Sequence, residues 1–336
     1  MVWLIFLLCL AVILFAGTKL ARYGDAISEK TGLGRIWIGL VLLAVITSMP
    51  ELVTSVSAAA LVGLPDLAFG NLFGSCIFNL LIIGLLDIMH RSTPVLSKAS
   101  PRHIAWAALE ILLIAVAVGG ILAGERFSGA ALGWIGITSI IIIVVYLVGI
   151  WGIFRFERQY SLLPTQAAPL WYEDMSTRAL WFKFALAAVA VIGGGILLSY
   201  VGDEIAQTTG WSTSFVGTLF LAITTSMPEL VVAIGAFHLG AIDMALADIL
   251  GANMLDIVII TWSDLFYTQG SIFSHVSGTH LTTALVAIAM SLLVIIGLRF
   301  RQERKTFKFV SWYSIALAGL YLYGAYALFT SGTGSG

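Results

Sequence analysis

The chain has 336 residues, 60% of them hydrophobic and only 10% charged, with a formal net charge of −1. Soluble domains carry about 25% charged residues, so a water-soluble fold is excluded, and a mean hydropathy of +1.01 predicts a molecule solvated by lipid. The near-neutral charge, without basic runs longer than a loop, argues against nucleic-acid binding. Cys9 and Cys76 both lie in apolar runs, which suggests neither a disulfide framework nor a thiolate metal site. Continuous rather than alternating apolar runs exclude a transmembrane β-barrel.

In chain order, the apolar runs predict an all-α multi-pass membrane protein with ten transmembrane helices. The spans cover roughly 2–21, 34–62, 67–89, 103–123, 130–153, 179–200, 211–238, 243–266, 279–298 and 309–330. The first run precedes the first cation, Lys19, so it reads as a retained helix and not as a signal peptide. The second and seventh are too long for one straight crossing, and each contains a proline, Pro50 or Pro228. Residues 154–178 form the longest polar connection, and residues 331–336 read as a flexible tail. Of the 17 cations, all but Arg126 fall in the loops after spans 1, 3, 5 and 9. The positive-inside rule makes those loops cytoplasmic and both termini extracytoplasmic.

The sequence repeats itself. Residues 31–52 align without gaps to 209–230, including the shared run TSMPEL, and residues 66–79 align to 243–256. Six consecutive identities containing Pro and Glu are not low-complexity coincidence. The predicted organisation is therefore a first five-span repeat over 1–153, a cytoplasmic connection over 154–178, and a second five-span repeat over 179–330. Because each half has an odd number of spans, the second enters the membrane upside down. Such inverted repeats are a transporter architecture, with the site near the midplane between them.

Glu51 and Glu229 lie about midway in spans 2 and 7, where an ionisable residue costs at least a few kcal/mol. Each follows Thr-Ser-Met-Pro. Proline removes a backbone N–H and clashes one turn earlier, so each helix is expected to break just before the glutamate and leave carbonyls free near Ala44–Thr47 and Ala222–Thr225. Thr47 and Glu51 share a face, as do Thr225 and Glu229. Carboxylates, hydroxyls and free carbonyls converging from two halves would form an all-oxygen cage of the kind hard cations prefer. Ser48-x-x-Glu51 and Ser226-x-x-Glu229 also fit a capping box, and a broken helix is expected to use its cap. Ser75 and Asn79 share a face of span 3, with Ala252 and Asp256 as their counterparts in span 8. Gly70, Gly74 and Gly251 read as close-packing positions. Asn71 and Asp248 are packing or vestibule residues, and Glu110 has no evident role. Asp87 and Asp264 near span ends are expected to be solvated, the five histidines to sit at the interface, and Trp106, Trp211, Trp262 and Trp312 to act as interfacial anchors.

These motifs resemble the α-repeats of the cation/calcium antiporter superfamily, in particular prokaryotic sodium/calcium exchangers: TS-x-PEL at Thr47–Leu52, then GN-x-x-GS-x-x-x-N at Gly70–Asn79, with second copies at Thr225–Leu230 and Ala247–Asp256. The resemblance implies electrogenic exchange of several sodium ions for one calcium in the cell membrane, with Glu51 and Glu229 central. It implies Thr47, Ser48, Ser75, Asn79, Thr225, Ser226 and Asp256 as further ligands, and the carbonyls of Ala44 and Ala222 as sodium ligands. It also implies that the first and sixth spans slide over a fixed core. Ala252 stands where the family usually has serine, and Asp248 where it has asparagine, which bears on one sodium site and on the coupling ratio.

No permanently bound cofactor is expected; calcium and sodium or protons are the transported ions. Proton-coupled calcium exchange is the alternative: Thr and Ser beside the glutamates favour sodium, whereas Asp256 and the lost serine favour protons. An intramembrane hydrolase would need a nucleophile with a base or an aspartate pair in a recognised spacing. Neither occurs, so an enzyme is not expected. A passive cation channel would have no need of exchanging halves.

Overall fold

A computed structural model describes residues 1–31, 44–124, 131–160, 175–307 and 309–333. Nearly all of these are helical. We label the principal helices α1 (Val2–Thr31), α2 (Met49–Ser57, running on through a π turn at Ala58–Val62), α3 (Pro65–Met89), α4 (His103–Ala123), α5 (Ile137–Tyr160) and α6 (Thr177–Thr209). A broken helix α7 follows, then α8 (Ile242–Phe266), α9 (His280–Arg299) and α10 (Trp312–Thr333). Among the described residues eight helices are long and apolar enough to cross a membrane, and α7 makes a ninth span if its two limbs, Thr213–Thr225 and Met227–His238, are taken as one crossing bent by 44°. The predicted second span is described only from Ala44 onward, where α2 by itself is a shorter apolar helix.

Three boundaries differ from expectation. α1 and α6 run on to Thr31 and Thr209, well past the apolar stretch that marks a bilayer span. The polar end of α1 still has an inward face, since Ala26 and Ile27 bury against Leu180. The fifth helix begins only at Ile137, because Ala131–Leu132 and Ile135–Gly136 pair as a small antiparallel hairpin. Gly133 turns that hairpin at φ 69°, a conformation costly for any residue with a Cβ.

α1 and α6 lie along each other and meet the broken helices through glycine. A Cβ on Gly17 would stand 2.5 Å from Pro228 Cγ, and one on Gly195 would stand 3.0 Å from Val53 Cγ1. At the centre, α3 and α8 are the most enclosed helices, with 72% and 83% of their spanning residues buried against 17% for α5. Gly74 lets α3 approach α7 closely, since a Cβ there would meet Thr218 O at 2.5 Å. Gly70 does the same against Ser214 O at 2.7 Å, whereas Gly251 has more room, its nearest neighbour being Ala44 Cβ at 3.3 Å.

Four aspartates pin α3 and α8 at both ends, each to the other half of the chain. At the start of α3, Asp66 Oδ1 accepts from the backbone N–H of Ser277 (2.7 Å) and pairs with His280 (2.9 Å). At the start of α8, Asp243 Oδ1 accepts from the N–H of Ser100 (2.6 Å) and pairs with His103 (3.0 Å). At the far end of α3, Asp87 accepts from the N–H of Val95 and Ser311, the hydroxyls of Ser311 and Ser314, and Tyr313 Oη at 2.6 Å. Its counterpart Asp264 accepts from the N–H of Ile272 and Gly136 and from Ser139 Oγ.

These clamps overturn two expectations. Asp87 and Asp264 are fully buried and not solvated; a carboxylate survives out of water when several N–H and O–H groups are aimed at it. Likewise His103 and His280 are buried and paired, not interfacial. Trp106 is buried as well, so it packs inside the molecule and does not anchor at an interface.

Candidate cation site

The two TSMPEL copies meet where their helices break. Ser48 (φ −79°, ψ 9°) and Ser226 (φ −85°, ψ 9°) leave helical geometry, and the following limbs begin with Pro50 and Pro228 in their first turn. Neither serine side chain caps its own helix, so the capping box does not form. Instead Ser226 Oγ reaches across to the other half and donates to Glu51 Oε1 at 2.9 Å, and Ser48 Oγ is buried without a partner.

Glu51 and Glu229 are 1% and 0% exposed. Both oxygens of Glu229, and Glu51 Oε2, have no hydrogen-bond partner. The same holds for Ser75 Oγ, Asn79 Oδ1 and Asp256 Oδ1, so six of the residues singled out from sequence present buried, unpaired oxygens. Glu229 lies within electrostatic reach of Glu51, Asp248 and Asp256, and Asp256 within reach of Glu51 and Glu110. Leaving a buried polar group unpaired costs about 1–3 kcal/mol. Such a concentration of acceptors without donors is chemically a receptor for positive charge. Among the described residues no three His, Cys, Asp or Glu side chains are grouped to hold a metal ion.

Two ligand groups stand differently from expectation. The carbonyls of Ala44 and Ala222 are already engaged: Ala44 O accepts from Ser48 N (3.0 Å) and Thr47 Oγ1 (3.1 Å), Ala222 O from Ser226 N (3.0 Å) and Thr225 Oγ1 (3.3 Å). The carbonyls that lose a helical donor to proline are one turn before it, at Ile46 and Thr224. Thr225 Oγ1 also donates to Asn71 Oδ1 at 3.1 Å, and Asn71 Nδ2 donates to Ser55 Oγ at 2.9 Å. Asn71 thus brackets the two halves through both its amide oxygen and its amide nitrogen. Its counterpart Asp248 is buried with both oxygens unpaired.

Sequence reasoning passed over Asn253 altogether. Its Nδ2 donates to Cys76 O (3.2 Å) and Glu110 Oε1 (2.9 Å), and its Oδ1 accepts from Asn79 Nδ2 (3.0 Å). Glu110, which had no evident role, also accepts from Ser291 Oγ at 2.8 Å. The available signal was the second motif copy itself, where Asn253 stands opposite Cys76.

A buried, oxygen-lined centre between two copies of one motif, in a nearly all-helical chain with eight or nine candidate membrane spans among the described residues, has the architecture of a membrane transporter. The family model described as sodium/calcium exchanger protein matches residues 1–152 and 179–330, and the chain belongs to that family. An uncharacterised membrane protein of Methanocaldococcus jannaschii is 26% identical over 322 residues, covering 94% of this chain and 96% of its own. In fold, the H+/Ca2+ exchanger CAX superposes with a TM-score of 0.71 at 14% identity, over 98% of this chain and 85% of its own. The sodium-calcium exchanger NCX_Mj gives 0.60 at 20% identity, over 96% and 98%. At these identities the likeness is one of fold.

Proposed function

We propose that this protein is a secondary active antiporter that exchanges calcium for sodium across the cell membrane by alternating access at a midplane all-oxygen site. In this reading residues 1–153 and 179–330 are inverted five-span halves joined by a cytoplasmic connection, 154–178, and both termini are extracytoplasmic. Glu51 and Glu229 carry the charge that offsets a dehydrated divalent ion. Thr47, Ser48, Ser75, Asn79, Thr225, Ser226 and Asp256 supply neutral or additional oxygens, and the carbonyls of Ala44 and Ala222 become sodium ligands once their threonine hydroxyls turn away.

One observation carries the reading: the contact of Ser226 Oγ with Glu51 Oε1 brings together identical motifs from the two halves while leaving Glu51 Oε2 and both Glu229 oxygens unpaired. Family membership, and the likeness in fold to the sodium-calcium exchanger NCX_Mj and the H+/Ca2+ exchanger CAX, agree with calcium as cargo. Proton coupling is the second reading. It is favoured by Ala252, which offers no oxygen, and by Asp248 and Glu110, buried acids with no basic partner among the ion pairs of the described residues.

The test is calcium flux in proteoliposomes under an imposed sodium gradient or an imposed proton gradient. Calcium movement driven by sodium alone supports the first reading, and movement driven by protons alone supports the second. Flux that dissipates calcium without any counter-gradient, and drives neither ion, would mean a channel.

A further inference from the structure

We infer that Asn253 is a positioning residue that turns the side-chain amide of Asn79 so that its oxygen, and not its nitrogen, faces the cation. The inference rests on reading Asn79 as a ligand and adds the device that makes it one.

An asparagine amide has two faces of opposite polarity. In water it would present either, but Asn79 is 1% exposed and Asn253 0%, so bonding partners decide. Asn253 Nδ2 faces a backbone carbonyl, that of Cys76, and the Oε1 of Glu110. A carbonyl can only accept, so turning Asn253 over would set its oxygen against Cys76 O and forfeit the bond to Glu110. Held this way, Asn253 offers Asn79 only an acceptor, Oδ1. Asn79 must answer with Nδ2, which it does at 3.0 Å. Its Oδ1 is thereby left buried and unpaired. Polarity is passed along the series from a fixed backbone oxygen to a ligand oxygen.

The other half of the molecule explains why the device occurs once. The residues equivalent to Asn79, Asn253 and Glu110, each 177 positions away, are Asp256, Cys76 and Ala287. A carboxylate presents oxygen whichever way it is turned and needs no orienting partner. Among the described residues the hydrogen-bond partner of Asp256 is the thiol of Cys76, 3.8 Å from Oδ2, a weak donor. Amide, orienting amide and acid on one side, and acid, thiol and alanine on the other, are each internally consistent sets.

A double-mutant cycle on purified protein in proteoliposomes, reading the calcium half-saturation of uptake, tests this. Asn253→Leu should raise the half-saturation at least about fivefold, the scale of losing one oxygen ligand. In an Asn79→Asp background the same change should cost less than about twofold, because residue 79 then offers oxygen in either orientation. An equal penalty in both backgrounds, or none in either, overturns the inference. Asn253→Ala removes the same oxygen without adding bulk and serves if the leucine variant does not fold. Asn79→Leu, measured alongside, separates the two levels: if it leaves half-saturation unchanged, the ligand reading of Asn79 itself fails.

Discussion

Ser226 Oγ and Glu51 Oε1 stand 2.9 Å apart although the residues are 175 positions apart in sequence. The serine that should cap its own broken helix serves the carboxylate of the opposite half. That contact ties the two breaks into one site, with Glu51 bonded to a hydroxyl of the opposite half and both oxygens of Glu229 left unpaired beside it.

Glu51→Gln and Glu229→Gln are each expected to abolish calcium transport while the protein still purifies as a folded, monodisperse species. A neutral amide removes half of the negative charge facing a divalent ion. Tracer calcium uptake into proteoliposomes checks this; near-normal uptake by either variant would remove that glutamate from the site.

Ala252→Ser should strengthen sodium dependence. Position 252 is the counterpart of Ser75, whose buried hydroxyl has no partner, and a serine there would restore one neutral oxygen. An added ligand worth about 1–3 kcal/mol, at about 1.4 kcal/mol per tenfold, corresponds to a gain of about 5–150-fold in apparent sodium affinity, with calcium affinity nearly unchanged. Calcium efflux titrated with external sodium measures it. An unaltered half-saturation and Hill slope would show that residue 252 does not line a sodium site.

Asp248→Asn should stabilise the protein in cation-free detergent. Both Asp248 oxygens are buried and unpaired, and removing an unpaired buried charge relieves a desolvation cost. In the other half, Asn71 at the equivalent position is bonded on both sides. The expected rise in unfolding temperature is a few degrees. A lower unfolding temperature would mean that Asp248 has a stabilising partner.

Asp87→Ala should be strongly destabilising, by about 3 kcal/mol or more, because it orphans the N–H groups of Val95 and Ser311 and the hydroxyls of Ser311, Tyr313 and Ser314 at once. Thermal unfolding followed by tryptophan fluorescence reads this directly. A loss under 1 kcal/mol would show the clamp to be dispensable.

Cysteines introduced at Ser271 and Ser97 in a cysteine-free background test the orientation. Ser271 should react with an impermeant thiol reagent from outside and Ser97 should not, since the cations cluster on the Ser97 side. Reversed labelling would invert the proposed topology.

Much of this was legible in the sequence because the bilayer leaves few alternatives. Apolar length marks most of the spans, and a charged residue at mid-span must have a reason. The TSMPEL repeat therefore led to Glu51, Glu229 and their neighbouring hydroxyls. What escaped were residues whose meaning lies in a partner far along the chain. Asp87 looks solvated by its position near a helix end, and only Tyr313 and Ser314 in the tenth helix, with Ser311 just before it, reveal otherwise. Asn253 resembles any polar residue of a motif until Glu110 and Asn79 are seen on either side of it. Helix ends were misjudged for a different reason: hydropathy registers where lipid ends, whereas α1 and α6 continue as helix beyond it.

The four aspartate clamps distribute stiffness unevenly. α3 and α8 are each fastened at both ends to the opposite half, so neither can tilt or slip without tearing several bonds together. α1 and α6 meet the broken helices at Gly17, set close against Pro228, and at Gly195, set close against Val53 and Thr54. Amide hydrogen exchange should therefore be slowest in the middle of α3 and α8. A rearrangement that opens the centre first to one side and then to the other would move the outer pair past an anchored axle, so that the ligands on α3 and α8 keep their spacing while access to them changes.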